Sequence, residues 1–276
     1  IGCLNVESVE ELEVIAELAA SRGVVAPVAL RVNPNIDAHT HHYITTGLEE
    51  NKFGIDLSLL DQAVDFAVDN PWLRLLGLHF HIGSQIEVYE PFDILCERID
   101  SLVDSLAARG VELTDINVGG GLGIDYSDPD GHPVPDFGAY FGAFRRGLRS
   151  AAGRTVHCEL GRSLTGQCGS LITRVVYVKK GVGKRFVIVD AGMTELIRPA
   201  LYQASHLIQN ISSCSDATEV YDVVGPVCES SDCFAESVEL PVTRRGDFIA
   251  IRSAGAYGEA MASSYNCRGL APCMAE

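Results

Sequence analysis

The feature that most constrains the fold is a regular alternation of apolar runs with amphipathic segments up to about residue 160. Short apolar runs separated by helical segments are typical of a parallel α/β sheet. The predicted strands cover 2–6, 28–32, 73–80, 113–118 and 155–160, and the predicted helices cover 8–20, 57–68, 90–108 and 137–148. Five such strands can form an open doubly wound sheet, or most of an eight-stranded barrel whose first strands precede this chain.

The pattern changes after about residue 166, where apolar runs follow one another with few helical segments between them. Strands are predicted at 170–178, 185–189, 219–224, 237–242 and 247–251, with short helices at 199–206 and 257–263. We therefore predict two domains, a partial barrel over 1–166 and a β-rich domain over 167–276, with fold class α/β for the first.

Charge and cysteine content restrict the partners and the compartment. The 37 acidic and 21 basic residues give a net charge of −16, which argues against nucleic acid and anionic membranes as partners. Nine scattered cysteines include no CxxC pair, so neither a zinc site nor a disulfide framework is favoured, and a reducing, cytoplasmic setting is expected. The histidines at 39, 41 and 42 have no cysteine or carboxylate at ligand spacing and predict a solvated loop.

A glycine-rich stretch follows the strand predicted at 113–118. Four glycines, Gly119, Gly120, Gly121 and Gly123, occupy five positions, and consecutive amides in such a turn can bind an anion. A tight turn at the end of a strand is the simplest interpretation. A dinucleotide fingerprint fits poorly, because loop residues rather than a helix follow. A phosphate-binding turn at the carboxyl end of a barrel strand fits the pattern.

Two other predicted strand ends carry polar residues. His79 and His81 follow one strand and share a face by alternation, and Ser84 stands shortly after them. Glu159 and Arg162 follow another strand. Each alone is compatible with a core histidine or a surface charge. Together they suit pyridoxal phosphate, which needs an anion-binding turn, a partner for its ring face and a carboxylate for its pyridinium nitrogen.

The chain resembles the barrel-type (fold type III) pyridoxal-phosphate decarboxylases of basic amino acids, and among them the diaminopimelate decarboxylase family most of all. The matching motifs occur in one order along most of the chain. They lie at 46–47, 52–54, 79–85, 119–123, 159–163, 190–193, 198–202, 225–232, 254–258 and 264–266.

The resemblance implies an alanine-racemase-like (β/α)8 barrel followed by a β domain, and a homodimer with shared active sites. It implies that His81 stacks on the cofactor ring and that Cys228 is the proton donor, with Cys228 and Glu229 reaching into the partner subunit's site. The implied cofactor-binding residues are His81, Ser84, Gly120, Gly121, Glu159, Leu160, Gly161, Arg162 and Tyr257. The implied substrate-binding residues are Arg162, Arg198, Tyr202, Glu229 and Tyr257.

The expected reaction is decarboxylation of meso-2,6-diaminopimelate to L-lysine. Arg198 suits the distal carboxylate of that substrate and Glu229 suits its distal ammonium, although Arg198 in a structural ion pair is an alternative. An arginine- or ornithine-type decarboxylase of the same fold is a second hypothesis. A non-catalytic regulatory homologue is a third.

The family's Schiff-base lysine, in a Tyr-Ala-x-Lys-Ala-like motif, has no counterpart here. The lysines are Lys52, Lys179, Lys180 and Lys184, and none follows an apolar strand in that context. This absence and the strand count predict an internal fragment of a longer enzyme, lacking early strands and a final strand and inactive alone. The resemblance also leaves a plastid location open for a plant source.

Overall fold

A computed structural model describes residues 1–36 and 52–274. The histidines at 39, 41 and 42 and the motif at 46–47 lie outside this described part. The strands are β1 (Leu4–Val6), β2 (Ala26–Arg31), β3 (Leu73–His79), β4 (Asp115–Asn117), β5 (Thr155–His157), β6 (Leu171–Lys180), β7 (Arg185–Val189), β8 (Ile208–Asn210), β9 (Thr218–Val224), β10 (Cys233–Pro241) and β11 (Phe248–Ile251). The α-helices are α1 (Val9–Arg22), α2 (Leu60–Asp69), α3 (Glu90–Ala108), α4 (Phe137–Gly147), α5 (Arg162–Thr165) and α6 (Arg198–Tyr202). Short 3-10 turns lie at Leu57–Leu59, Arg149–Ala151, Gly166–Cys168, Glu259–Met261 and Tyr265–Cys267.

The chain forms two compact units, which do not follow one another simply along the sequence. The first unit comprises Ile1–Gly123 and Asp136–Leu160, and the second comprises Ile124–Pro135 and Gly161–Glu276. The short segment Ile124–Pro135 belongs to the second unit through two kinds of contact. Nη1 and Nη2 of Arg252 donate to the Asp130 carboxylate, and the Leu207 amide donates to the Tyr126 carbonyl at 3.1 Å. The predicted boundary at 166 stays a prediction.

The first unit has a parallel five-stranded sheet whose spatial order is the order of its strands in the chain, β1-β2-β3-β4-β5. A doubly wound sheet reverses direction at a switch point, whereas a barrel adds each strand beside the last. The described sheet has no such reversal. The expectation of a partial barrel is therefore confirmed, and the doubly wound alternative is wrong.

Local sequence explains the helices of this unit, as α1 shows. The Ser8 side chain accepts a hydrogen bond from the Glu11 amide at the helix start, and Gly23 ends the helix with φ of 64°. Leu12 is fully buried at the core face of the helix. Leu18, predicted on the same side, is instead 51% exposed. Helix α3 contributes the largest buried face, and its Phe92 packs edge-on against two aromatic rings of α4.

The second unit has a mixed six-stranded sheet in the order β10-β9-β7-β6-β11-β8. Only β7 and β9 pair in parallel, and the other pairs are antiparallel. This sheet confirms the expectation of a β-rich second part. Strand β8 was not predicted, because three residues containing Gln209 and Asn210 carry no strand pattern.

The two short helices predicted in the second part are only partly correct. Helix α6 ends at Tyr202, because Gln203 has a left-handed backbone with φ of 53°. The helix predicted at 257–263 is wrong: the chain has φ of 60° at Tyr257 and then only a 3-10 turn, Glu259–Met261. No helix among the described residues is long and apolar enough to cross a membrane.

Candidate active site

The glycine-rich stretch lies beside the chain segments that leave the two neighbouring strands. The Phe80 amide donates to the Asn117 carbonyl at 2.8 Å, and the Glu159 amide donates to the Gly119 carbonyl at 2.7 Å. Further on, the Ile86 amide donates to the Gly121 carbonyl at 2.9 Å. The carboxyl ends of β3, β4 and β5 thus converge at one edge of the sheet, as the sequence predicted.

Gly120 is required because the chain passes very close to the neighbouring segment at this point. A Cβ atom on Gly120 would collide with the backbone carbonyl oxygen of Glu159. Gly121 has φ of 106°, and a Cβ there would lie 2.8 Å from the Gly83 carbonyl oxygen. The close approach therefore places the amides of the glycine turn next to the segment that carries Glu159.

Glu159 is held by three hydrogen-bonding side chains from three strands. Oε1 accepts from Asn117 Nδ2 at 2.9 Å and from Asn5 Nδ2 at 3.2 Å, and Oε2 lies 3.2 Å from His79 Nε2. The pKa of Glu159 is lowered to about 2, mainly by the hydrogen bond with His79 and also by the charge of His79 and the hydrogen bond from Asn117, against the opposing effect of burial. The Glu159 side chain is 42% exposed, so an ionised carboxylate is fixed in place while part of it stays accessible.

His81 is neutral and has a defined tautomer. The Gly120 amide donates to His81 Nδ1 at 3.2 Å, so the ring proton lies on Nε2. The pKa of His81 is lowered to about 4, mainly by burial and also by the neighbouring charges of Arg31 and His79, against the opposing effects of Glu159 and Glu7. The ring is thus an uncharged, oriented aromatic surface at neutral pH.

The remaining predicted residues of the first unit lie on the same segments. Ser84 is partly buried in the turn after β3, beside Gly83 with φ of 154° and Gln85 with φ of 61°. Leu160 packs against the hydrophobic core of the unit. The structure therefore groups His81, Gly120 and Glu159 directly, with Ser84 nearby in sequence.

In the second unit, Arg162 and Arg198 are both 5% exposed and share one aromatic partner, Tyr126. Arg162 Nη1 donates to Tyr126 Oη at 2.6 Å. The guanidinium of Arg198 lies 4.7 Å from the centroid of the Tyr126 ring, and that of Arg162 lies 4.9 Å from the centroid of the Tyr257 ring. Tyrosine faces can stabilise a buried cation without neutralising its charge.

Arg198 carries a positive charge that no carboxylate of the described residues pairs with. The Arg198 Nη1 atom lies 3.0 Å from His206 Nε2, and Tyr126 also interacts with the guanidinium. Burial lowers the pKa of Arg198, and the nearby charge of Arg162 lowers it too, while Tyr126 and Tyr202 oppose these effects. Within the described part of the chain, the interpretation of Arg198 as a structural ion pair has no support.

Tyr202 and Tyr257 lie close to this arginine pair. Tyr202 is partly buried at the last residue of α6, and it raises the pKa of Arg198. Tyr257 is 40% exposed and has φ of 60°, an uncommon backbone for a bulky residue. A Cβ on Gly161, the residue before α5, would lie 3.6 Å from Tyr257 Oη, which is an ordinary van der Waals contact.

Cys228 and Glu229 are exposed on a separate loop of this unit, residues 225–232. Buried Asp232 organises the loop, since Oδ2 accepts from the Val227 amide at 2.7 Å and Oδ1 accepts from the Met193 amide at 2.6 Å. Glu229 Oε1 accepts from Tyr265 Oη at 2.6 Å. The loop therefore has a fixed backbone that presents Cys228 outwards.

Sequence reasoning did not identify the contacts that hold the candidate residues of each unit, and it considered His79 only as a possible partner for a cofactor ring. The contacting residues are Asn5, Asn117 and His79 around Glu159, Tyr126 and His206 around the arginines, and Asp232 and Tyr265 around Glu229. Asn117 immediately precedes the glycine turn, and His79, Asp232 and Tyr265 lie within the family motifs at 79–85, 225–232 and 264–266, so these four carried a signal in the sequence.

The described side chains fit pyridoxal phosphate. An ionised, partly exposed carboxylate suits a protonated ring nitrogen, and a neutral imidazole suits a ring face. The amides of Gly119, Gly120 and Gly123 already donate to Asn117 Oδ1, His81 Nδ1 and the Ile86 carbonyl oxygen, which leaves the Gly121 amide of this turn for a phosphate. No group of three histidine, cysteine or carboxylate side chains in residues 1–36 and 52–274 is arranged to hold a metal ion.

Comparison with known proteins agrees with this chemistry. Residues 1–166 match the family model described as pyridoxal-dependent decarboxylase, pyridoxal binding domain. A diaminopimelate decarboxylase of Bacteroides thetaiotaomicron is 56% identical over 270 residues, covering 98% of this chain and 70% of the relative. One from Pseudomonas aeruginosa is 46% identical over 273 residues, covering 98% of this chain and 64% of the relative.

The structural comparison gives the same result. The crystal structure of Helicobacter pylori diaminopimelate decarboxylase complexed with L-lysine matches with a TM-score of 0.88 and 44% identity. The match covers 95% of this chain and 65% of that one, so the chain spans about two thirds of the length of these relatives. The relatives named here are bacterial, and the plastid alternative gains no support from them. Motifs, fold, site chemistry and close relatives all agree, and the chain belongs to the diaminopimelate decarboxylase family of pyridoxal-dependent decarboxylases.

Proposed function

We propose that the protein serves the pyridoxal-phosphate-dependent decarboxylation of meso-2,6-diaminopimelate to L-lysine. The observation that carries this proposal is the buried Arg198 guanidinium without a carboxylate partner among the described residues. A buried cation of this kind is expensive unless an anion joins it. The distal carboxylate of diaminopimelate would supply that anion. Ornithine and arginine lack a second carboxylate and would leave Arg198 uncompensated.

The cofactor-binding part of the proposal rests on Glu159 and His81. Pyridoxal phosphate, when bound, withdraws electrons from the substrate carbon that loses carbon dioxide. The role of Glu159 is to keep the pyridinium nitrogen protonated. Because the pKa of Glu159 is about 2, its carboxylate is ionised at neutral pH and leaves the proton on the nitrogen. His81 lies against the ring face, and Ser84, Gly120, Gly121, Leu160, Gly161, Arg162 and Tyr257 bind the phosphate and align the ring.

The substrate-binding part rests on the second unit. Arg162, Arg198 and Tyr202 bind carboxylate, with Tyr257 beside Arg162. Glu229 binds the distal ammonium, and Cys228 donates the proton that replaces the lost carboxylate. As in the family expectation, Cys228 and Glu229 act in the partner subunit's site, so the proposal includes a homodimer. The proposal also includes a cytoplasmic location, where the nine free cysteines stay reduced.

The test uses the complete gene product loaded with pyridoxal phosphate. Release of carbon dioxide and lysine from meso-diaminopimelate is measured beside ornithine, arginine and lysine as alternative substrates. Arg198→Met is expected to lower kcat/KM for diaminopimelate about 100-fold, the loss of two hydrogen bonds to a charged group. Arg245→Met, which removes an exposed arginine of the same unit, is the matched control. Turnover of ornithine or arginine in preference to diaminopimelate would refute the substrate assignment.

A further inference from the structure

His206 lies between α6 and β8 and links the Arg198 side chain to the backbone. It is 6% exposed, with Nε2 3.0 Å from Arg198 Nη1 and Nδ1 2.8 Å from the Arg252 carbonyl oxygen. The Arg252 backbone is itself fixed, because its amide donates to the Leu207 carbonyl at 2.9 Å. The imidazole thus connects a rigid point just after β11 to the guanidinium.

The two contacts define which ring nitrogen carries the proton. A guanidinium has only donors, so His206 Nε2 must accept from Arg198. A carbonyl oxygen only accepts, so His206 Nδ1 must donate to Arg252. Both contacts together require the neutral Nδ1–H tautomer. Burial acts in the same direction and lowers the pKa of His206 to about 4, with the charges of Arg198 and Arg162 adding to it, against the hydrogen bond to the Arg252 carbonyl.

A neutral acceptor has a different effect on Arg198 from that of a carboxylate. An aspartate or glutamate at this place would orient the guanidinium but would also pair with its charge. The neutral imidazole orients one edge of the Arg198 guanidinium, and the positive charge of the guanidinium stays available to pair with an anion. The Tyr126 ring contacts both side chains: its centroid lies 5.0 Å from that of the His206 ring, in an edge-on arrangement, and 4.7 Å from the Arg198 guanidinium.

We propose that His206 is a positioning residue for Arg198. It holds the Arg198 guanidinium in place without neutralising its charge, so that the guanidinium can bind the distal carboxylate of the substrate. This inference rests on the proposed function. It assigns His206 to specificity for a substrate with two carboxylates, and it assigns no contact between His206 and the reacting carbon.

Two isosteric variants separate the contacts of His206. In His206→Gln the side-chain amide reaches the Nε2 position and its oxygen can accept from Arg198. In His206→Asn the amide reaches only the Nδ1 position and keeps the contact with the Arg252 carbonyl. In the complete gene product, His206→Asn is expected to raise KM for meso-diaminopimelate about tenfold with kcat nearly unchanged, while His206→Gln stays within about threefold of wild type.

A second measurement does not depend on activity. Nitrogen-15 NMR of the 276-residue chain at neutral pH is expected to show His206 Nε2 unprotonated and Nδ1 protonated. The opposite tautomer overturns the proposal. So does an active enzyme in which His206→Asn leaves the KM for meso-diaminopimelate unchanged, or one in which His206→Gln raises that KM as much as His206→Asn does. A wild-type enzyme that does not decarboxylate diaminopimelate refutes the proposed function instead, which is a separate result.

Discussion

The buried charge of Arg198 leads to an unusual stability prediction for the substitution Arg198→Met. Methionine keeps most of the volume and removes the cation. The loss includes a cation–π contact of about 2 kcal/mol and a charged hydrogen bond of about 1.5–3 kcal/mol. The gain is relief of a desolvation penalty of several kcal/mol for a buried ion, together with repulsion from Arg162. These opposing effects nearly cancel, so the free energy of unfolding is expected to change by no more than about 1 kcal/mol.

A structural ion pair gives a very different number. Breaking a buried pair by removing one partner costs about 3–5 kcal/mol, because it leaves an uncompensated charge behind. For a unit of this size, 1 kcal/mol corresponds to a shift of about 4 °C in Tm. The two hypotheses therefore predict a change within about 4 °C and a fall of about 12 °C or more.

Scanning calorimetry of the 276-residue chain measures the difference directly. The single tryptophan, Trp72, lies in the first unit and does not report on the unit that contains Arg198. The exposed Arg245→Met change serves as the control and is expected to be silent. A fall of about 12 °C in the transition of the second unit of Arg198→Met, with the control unchanged, would show that Arg198 stabilises the fold through a charge partner.

Three further predictions concern the glycine turn, its carboxylate and the Cys228 loop. Gly120→Ala and Gly77→Ala each place a Cβ against a neighbouring backbone carbonyl oxygen, so both should destabilise the fold by about 1–3 kcal/mol in urea titrations. Only Gly120→Ala should also raise the pKa of Glu159, measured by carbon-13 NMR, and an equal rise of that pKa in both variants would contradict the site. The pKa of Glu159 is lowered to about 2 when folded, so the stability it contributes is present above about pH 4.5 and is lost as the pH falls towards 2. Because its side chain is 42% exposed, that contribution should stay below about 1 kcal/mol and vanish in Glu159→Gln, which a series of urea titrations at different pH values can check. In Asp232→Asn the side-chain amide group faces one of the two backbone amides that donate to the Asp232 carboxylate. Calorimetry should therefore show that the free energy of unfolding falls by about 1–3 kcal/mol. An unchanged transition would argue against a role of Asp232 in holding the loop.

The sequence predicts most of the first unit because its strands are apolar runs between well-capped helices. Helix α3, Glu90–Ala108, has the predicted bounds, and the strand order follows from the alternation once the barrel is chosen. Strand β5 is shorter than predicted and all three of its residues are exposed, since it lies at the edge of the described sheet. Edge exposure depends on neighbours, which a single run of residues does not reveal.

The candidate site was predictable at the residues that lie at strand ends, and less so at their partners. Asn5 is 154 residues from Glu159, and only the register of parallel strands brings them together. Tyr126 is 36 residues before Arg162 in a stretch that reads as turn chemistry. His206 fell inside a predicted helix, and its contact with Arg198 depends on the left-handed backbone of Gln203 that ends α6 early. The roles taken from the family resemblance stay predictions until the variants are measured.

The segment Ile124–Pro135 has a consequence for the modularity of this chain. It brings Tyr126, the shared partner of Arg162 and Arg198, into a unit whose other residues begin at Gly161. A recombination event or an expression boundary at 160 would transfer both arginines and leave their aromatic partner behind. The second unit therefore cannot be exchanged between proteins as one continuous segment. New substrate preferences in such proteins should arise by point substitution around Tyr126 more readily than by recombination of whole domains.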